Sequence, residues 1–137
     1  MKDLAVTMPP GSSTIPTSVV VVEDDPASAD VLQRRLQANG MKVVVGRDGG
    51  EGLALVRQIV PDLVLLDVML PKIDGFEVLR RIRADARTRS LPVVMVTSFT
   101  RDKDAARGRA LGADDYIVKP LMESDFLNRI RRLVKDQ

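Results

Sequence analysis

Two short runs of this chain, Val19 to Val22 and Leu63 to Leu66, are apolar at every position. A strand that shows one face to water alternates apolar with polar residues, whereas a strand covered on both faces need not. These runs therefore read as central strands of a sheet with helices packed on either side. Three further short runs, Met41 to Val45, Val93 to Val96 and Tyr116 to Val118, share the β-branched character.

Between the runs lie amphipathic stretches. Asp25 and Pro26 form an N-cap and first-turn pair, Ala29, Leu32 and Leu36 recur at helical spacing, and Asn39 and Gly40 end the helix. A second helix is expected over Gly49 to Gln58. A third starts near Gly75 with Phe76, Leu79 and Ile82 on its inner face, a fourth lies within Arg101 to Leu111 and is poor in large apolar residues, and a fifth carries Phe126, Ile130, Leu133 and Val134. Five strands alternating with five helices make an α/β chain. Right-handed crossovers then give an open, doubly wound parallel sheet with helices on both faces.

Residues 1–18 are rich in proline, glycine and serine, offer little to bury, and are expected to form a flexible N-terminal leader. Residues 19–137 are then a single domain, long enough for its own core. There is no apolar run near the ~18 residues of a membrane span and no secretory signal pattern, so a cytoplasmic protein without membrane contact is expected.

The chain has neither cysteine nor histidine. Disulfides, thiolate catalysis, serine–histidine triads and the common zinc sites are thereby excluded, and any chemistry must run on carboxylates, hydroxyls and amines. Basic and acidic side chains number 21 and 19, a net charge of +2 that makes no case for direct nucleic-acid binding.

In open α/β sheets the functional crevice lies beyond the carboxyl ends of the strands. Here those ends are Glu23, Asp24 and Asp25; Asp67; Thr97 and Ser98; and Lys119. Singly, each has a plainer role as cap, turn or surface residue. Jointly, they place several carboxylates in one crevice, where mutual repulsion calls for a cation, and an all-oxygen donor set with room for water prefers Mg²⁺. With a lysine and a hydroxyl added, the crevice suits a phosphoryl group carried on Asp67, at the end of a central strand opposite the acidic cluster.

The motifs Val-Val-Glu-Asp-Asp-Pro from Val21, Leu-Leu-Asp-Val-Met-Leu-Pro from Leu65, Asp74-Gly75, Val-Thr-Ser from Val96 and Gly-Ala-Asp-Asp-Tyr-Ile-Val-Lys-Pro from Gly112 resemble those of bacterial two-component response-regulator receiver domains. The resemblance covers about residues 19–135 and shows no departure from the core motifs. It implies a flavodoxin-like strand order 2-1-3-4-5 and assigns Asp67 as phosphoacceptor. Glu23 and Asp24 become the acidic pair, with Asp67 and the Met69 backbone carbonyl completing the Mg²⁺ site; Asp25 falls one place beyond the pair. Thr97 and Lys119 would contact the phosphoryl oxygens, Thr97 and Tyr116 would act as the switch pair, and the Lys119-Pro120 bond would be cis.

As the chain lacks histidine, the resemblance implies a separate donor, a histidine kinase or histidine phosphotransfer protein, and a downstream protein target or output domain. Helix four, with little apolar anchorage, is the element expected to move. Output would be read from the face of helix four, strand five and helix five. That face is expected to carry Arg101, Lys103, Arg107, Arg109, Arg129, Arg131, Arg132 and Lys135, which with Asp114 and Asp115 could support a phosphorylation-dependent homodimer. Two other classes fit less well. A haloacid-dehalogenase-like phosphatase needs a second aspartate where Met69 stands, and a flavin carrier needs a phosphate-binding loop where this chain is acidic.

Overall fold

The computed structural model describes residues 17–98, 101–121 and 123–135. Strand and helix alternate along them as β1 (Ser18–Val22), α1 (Pro26–Ala38), β2 (Lys42–Gly46), α2 (Gly49–Ile59), β3 (Leu63–Leu66), α3 (Gly75–Ala84), β4 (Val93–Thr97), α4 (Asp102–Ala110), β5 (Asp115–Val118) and α5 (Glu123–Lys135). All strand pairs are parallel, in the order β2-β1-β3-β4-β5. This is the doubly wound sheet and strand order expected from the sequence.

The wholly apolar runs occupy the interior. Successive side chains of a strand point to opposite faces, so Val20, Val22, Val64 and Leu66 pack with Leu53 and Val56 of α2 and Leu79 and Ile82 of α3. Val19, Val21, Leu63 and Leu65 pack on the other side with Leu32 and Leu36 of α1 and Phe126 and Ile130 of α5.

Boundaries differ from expectation by single residues, for local reasons. Ser18, assigned to the leader, pairs in register with Lys42 and belongs to β1. Met41 does not start β2; its N–H donates to the Leu36 carbonyl at 3.1 Å and closes the end of α1. Thr17, also assigned to the leader, accepts the Lys42 N–H on its carbonyl at 2.8 Å, and residues 1–16 of the expected leader lie outside the described residues. Among the described residues, no helix is long and apolar enough to cross a membrane.

Two features fix the geometry at the carboxyl ends of the strands. Asp25, Asp48 and Asp74 cap α1, α2 and α3 by accepting the backbone N–H of Ser28, Glu51 and Glu77. Gly75 lets α3 begin directly against the end of β3, since a Cβ there would stand 2.0 Å from the Asp67 carbonyl oxygen.

Helix α4 is seated differently from the others. Its buried residues are Asp104 and Gly108, the latter facing the Tyr116 ring, and the Arg107 guanidinium lies 4.3 Å from the centroid of Phe76. Cation–π contacts at partly exposed sites contribute about 0.5–1 kcal/mol. Arg107→Ala should therefore lower stability by about that amount in urea unfolding, and an unchanged midpoint would show that the stacked guanidinium does not hold α4.

Candidate functional site

Glu23, Asp24 and Asp67 converge as the strand ends require. One carboxylate oxygen from each lies within 4.8 Å of the other two, with Glu23 and Asp67 buried and Asp24 exposed. This open crevice is also lined by Met69, Asp74, Ser98 and Lys119. Three acidic oxygens at this separation are a hard donor set with excess negative charge, which fits a divalent cation such as Mg²⁺.

Glu23 is the most enclosed of the three, at 2 % exposure. Its Oε1 accepts from the Lys119 ammonium at 2.5 Å, and its Oε2 accepts from the Asp25 N–H at 3.2 Å. Burial pushes its carboxyl above the usual range; Lys119 opposes this, and the charge of Asp67 adds to it. The crevice thus holds more negative charge than its lysine compensates. Lys119 was expected to serve the phosphoryl oxygens, and the pair it makes with Glu23 was not legible from sequence. The Lys119-Pro120 peptide bond is cis.

Asp67 takes its depth from β3, its N–H donating to the Val22 carbonyl at 3.0 Å. Its Oδ1 accepts from the Met69 N–H at 3.4 Å, while the Met69 side chain is 58 % exposed. Thr97 is buried at the end of β4, and its carbonyl accepts the Lys119 N–H at 2.8 Å. Ser98, the next residue, is the one from that strand end that lines the open crevice. Tyr116 is buried, and its phenol is pushed up by burial, then by the charges of Asp104 and Asp67.

Asp25, set aside from the cation site, also lines the crevice, but its carboxylate is engaged in capping α1. Its Oδ2 accepts the Ser28 N–H at 2.9 Å, and bonding from Ser28 holds its carboxyl below the ordinary value. Asp25→Ala should lower thermal stability modestly through loss of the cap and leave Mg²⁺ affinity unchanged in a calorimetric titration. A large loss of affinity would place Asp25 among the cation's ligands.

The basic face of α4, β5 and α5 is less uniform than its sequence suggests. Arg129 pairs with Asp115 at 2.5 Å and Arg83 of α3 pairs with Asp114 at 3.0 Å, so both aspartates are engaged within the chain. Arg131 donates to Asn39 at the end of α1, away from that face. The helical period of α5 turns it toward α1, a placement that adjacency to Arg132 obscured. The Lys135 side chain lies outside the described residues.

Fold and crevice together define a class of α/β domain: a doubly wound parallel sheet whose acidic strand ends face Lys119. The chain belongs to the response regulator receiver domain family of two-component systems, whose family model matches residues 19–131. It is 42 % identical over 117 residues to the DNA-binding dual master transcriptional regulator RpaA of Synechocystis, covering 85 % of this chain and 48 % of that one. It is 35 % identical to the protein PilH of Pseudomonas aeruginosa, covering 85 % and 96 %. Among solved structures it superposes, with a TM-score of 0.82 and 26 % identity, on the receiver domain of a Pseudomonas aeruginosa sensor histidine kinase with a magnesium ion coordinated in its active site cleft, covering 88 % and 99 %. The chain spans about half the length of the first curated relatives, 48 %, 51 % and 50 %.

Proposed function

We propose that the chain is a phosphorylation-dependent switch. On this reading it takes a phosphoryl group onto Asp67 from a histidine kinase or histidine phosphotransfer protein and passes the change on to a downstream target or output domain in the cytoplasm. The observation that carries this reading is the convergence of Glu23, Asp24 and Asp67 in one crevice with Lys119 at its wall. The magnesium in the cleft of the related kinase receiver supports the same ion here.

Glu23, Asp24, Asp67 and the Met69 carbonyl would hold Mg²⁺, which when bound neutralises charge on the carboxylates and on the incoming phosphoryl oxygens. The Asp67 carboxylate oxygen attacks phosphorus in line with the donor's P–N bond. The new O–P bond forms as the P–N bond breaks, and the electron pair returns to the imidazole nitrogen. Lys119 binds a phosphoryl oxygen, which requires it to leave Glu23, and Thr97 binds another by moving its hydroxyl toward Asp67.

The Tyr116 ring packs against Gly108 of α4, so a change in what supports that ring when Thr97 moves is passed to α4. Helix α4 has only Asp104 and Gly108 buried, which suits it to be the element that shifts. Beside the crevice, α1 and the residues after β5 form an apolar groove including Val31, Leu32 and Leu121, a surface on which the donor protein can rest while its histidine reaches Asp67. Apart from making and hydrolysing its own acyl phosphate, the domain acts on no separate substrate, and a homodimer through α4, β5 and α5 would be a consequence of the switch.

Incubation with acetyl phosphate and Mg²⁺, with intact-mass spectrometry as the readout, tests the reading. A gain of one phosphoryl group that is lost on chelating Mg²⁺ is expected. A folded, Mg²⁺-binding chain that never gains mass would instead signal by binding alone.

A further inference from the structure

One strand end stands apart from the crevice. β2 finishes at Gly46, and the corner beyond it, Arg47 and Asp48 leading into α2, meets the loop that leaves β3. Asp48 uses one carboxylate oxygen to cap α2, accepting from the Glu51 N–H at 2.7 Å. Its other oxygen lies 3.3 Å from the Lys72 ammonium. Lys72 has φ +70°, a left-handed conformation that costs a residue with a Cβ and persists where the surroundings enforce it.

The next residue meets α2 directly. A Cβ on Gly49 would stand 2.0 Å from the Ile73 carbonyl oxygen and 2.9 Å from its carbonyl carbon, so only glycine lets the two backbones approach. The Gly49 N–H also points at the Pro71 carbonyl, at 3.4 Å. At its far end the same loop is stopped by Gly75 against the Asp67 carbonyl. Between these two backbone contacts run Met69, Leu70 and Pro71, which with Asp74 form one wall of the acidic crevice. Asp48 and Gly49 do not themselves line it.

We propose that the Asp48-Gly49 corner is a positioning element for the cation site: it fixes residues 69–74 against the crevice and thereby sets the affinity for a divalent cation. The loop carries the Met69 carbonyl and begins at Asp67, so a displacement forced at Ile73 is passed along a few bonds of backbone to two of the four oxygens. The inference rests on the cation reading above. Support of this kind, one layer outside the ligands, commonly decides metal affinity.

Titration of the ¹⁵N-labelled full chain with Mg²⁺, read from amide shifts, tests it. Gly49→Ala should raise Kd about tenfold or more and shift the amides of residues 69–74 before any Mg²⁺ is added. Gly40→Ala is the matched control. Gly40 has φ +82° at the opposite end of α1 with nothing within 4 Å of its Cβ position, so alanine there strains only the backbone and should leave Kd unchanged. Wild-type affinity in folded Gly49→Ala, or the same loss in both variants, overturns the proposal.

If Gly49→Ala does not fold, Lys72→Gln decides. Removing a positive charge beside an acidic crevice would by Coulomb attraction alone tighten Mg²⁺ binding, whereas loss of the tether to Asp48 weakens it. Tighter binding would overturn the proposal. Absence of saturable shifts in the wild type, or an unchanged Kd in Asp24→Asn, would fail the cation reading itself.

Discussion

Asp67→Asn should take up no phosphoryl group from acetyl phosphate under conditions that label the wild type to completion. The substitution keeps the shape of the side chain and its capacity to accept the Met69 N–H, but an amide oxygen has neither the charge nor the basicity to attack phosphorus. The two carboxylates that converge with it are poorly placed to substitute. Both oxygens of Glu23 are occupied, by Lys119 and by the Asp25 N–H, and the group is 2 % exposed. Asp24 is exposed at the rim, where it is open to water and has no strand backbone holding it in line.

The same variant removes one of three mutually repelling charges, so it should be at least as stable as the wild type without Mg²⁺ and gain less from Mg²⁺. Intact mass and urea unfolding on one sample separate the two effects. Phosphoryl uptake that survives in a folded Asp67→Asn protein would move the acceptor elsewhere. Uptake lost together with folding would be uninformative about chemistry, and the expected rise in stability guards against it.

The fold was legible because its strongest signals are local. Val19 to Val22 and Leu63 to Leu66 could only be central strands, and Asp25, Pro26, Asn39 and Gly40 marked the ends of α1 through capping chemistry that acts within a few residues. The candidate site was legible for a topological reason: a parallel sheet brings all its carboxyl ends to one side, and residues just beyond β1, β3, β4 and β5 meet in one crevice. What stayed hidden depends on distance in three dimensions between residues remote in the chain. Lys119 and Glu23 are 96 residues apart, and nothing in either segment says that the lysine should pair with Glu23 and not with Asp67. The contact of Gly49 with Ile73 is equally silent, since glycine at the start of a helix has commoner explanations. Arg131 was misplaced because adjacency to Arg132 suggested one face, whereas successive helical residues diverge by about 100°.

The Lys119–Glu23 pair makes the second large prediction. Lys119→Met keeps most of the stem's apolar bulk and removes the ammonium, leaving Glu23 as a buried carboxylate beside Asp67. Breaking a buried pair from one side costs about 3–5 kcal/mol if the remaining charge persists. Glu23 has a cheaper course, which is to take up a proton. Its carboxyl is already raised in the wild type by burial, with Asp67 adding to it, and Lys119 is what restrains the rise. Without the lysine it should rise further.

A raised carboxyl contributes stability that is fully present below its unfolded pKa of about 4.5 and is lost as pH climbs through the folded value. Below pH 4.5 the raised Glu23 carboxyl is mostly protonated in both proteins, and the deficit of Lys119→Met should be small. As pH rises past the wild-type value the deficit should grow by about 1.4 kcal/mol per unit, until the variant's own value is reached or the cost of the uncompensated charge caps it. Added Mg²⁺ should recover most of the loss at pH 8 and little at pH 4.5, because only the ionised crevice binds it. On the proposed reading, phosphoryl uptake should fall sharply even with Mg²⁺ present, since the ammonium assigned to a phosphoryl oxygen is missing. Urea unfolding at several pH values checks the first part, and a deficit that is the same at pH 4.5 and pH 8 would mean that Lys119 contributes through packing of its stem and not through its charge.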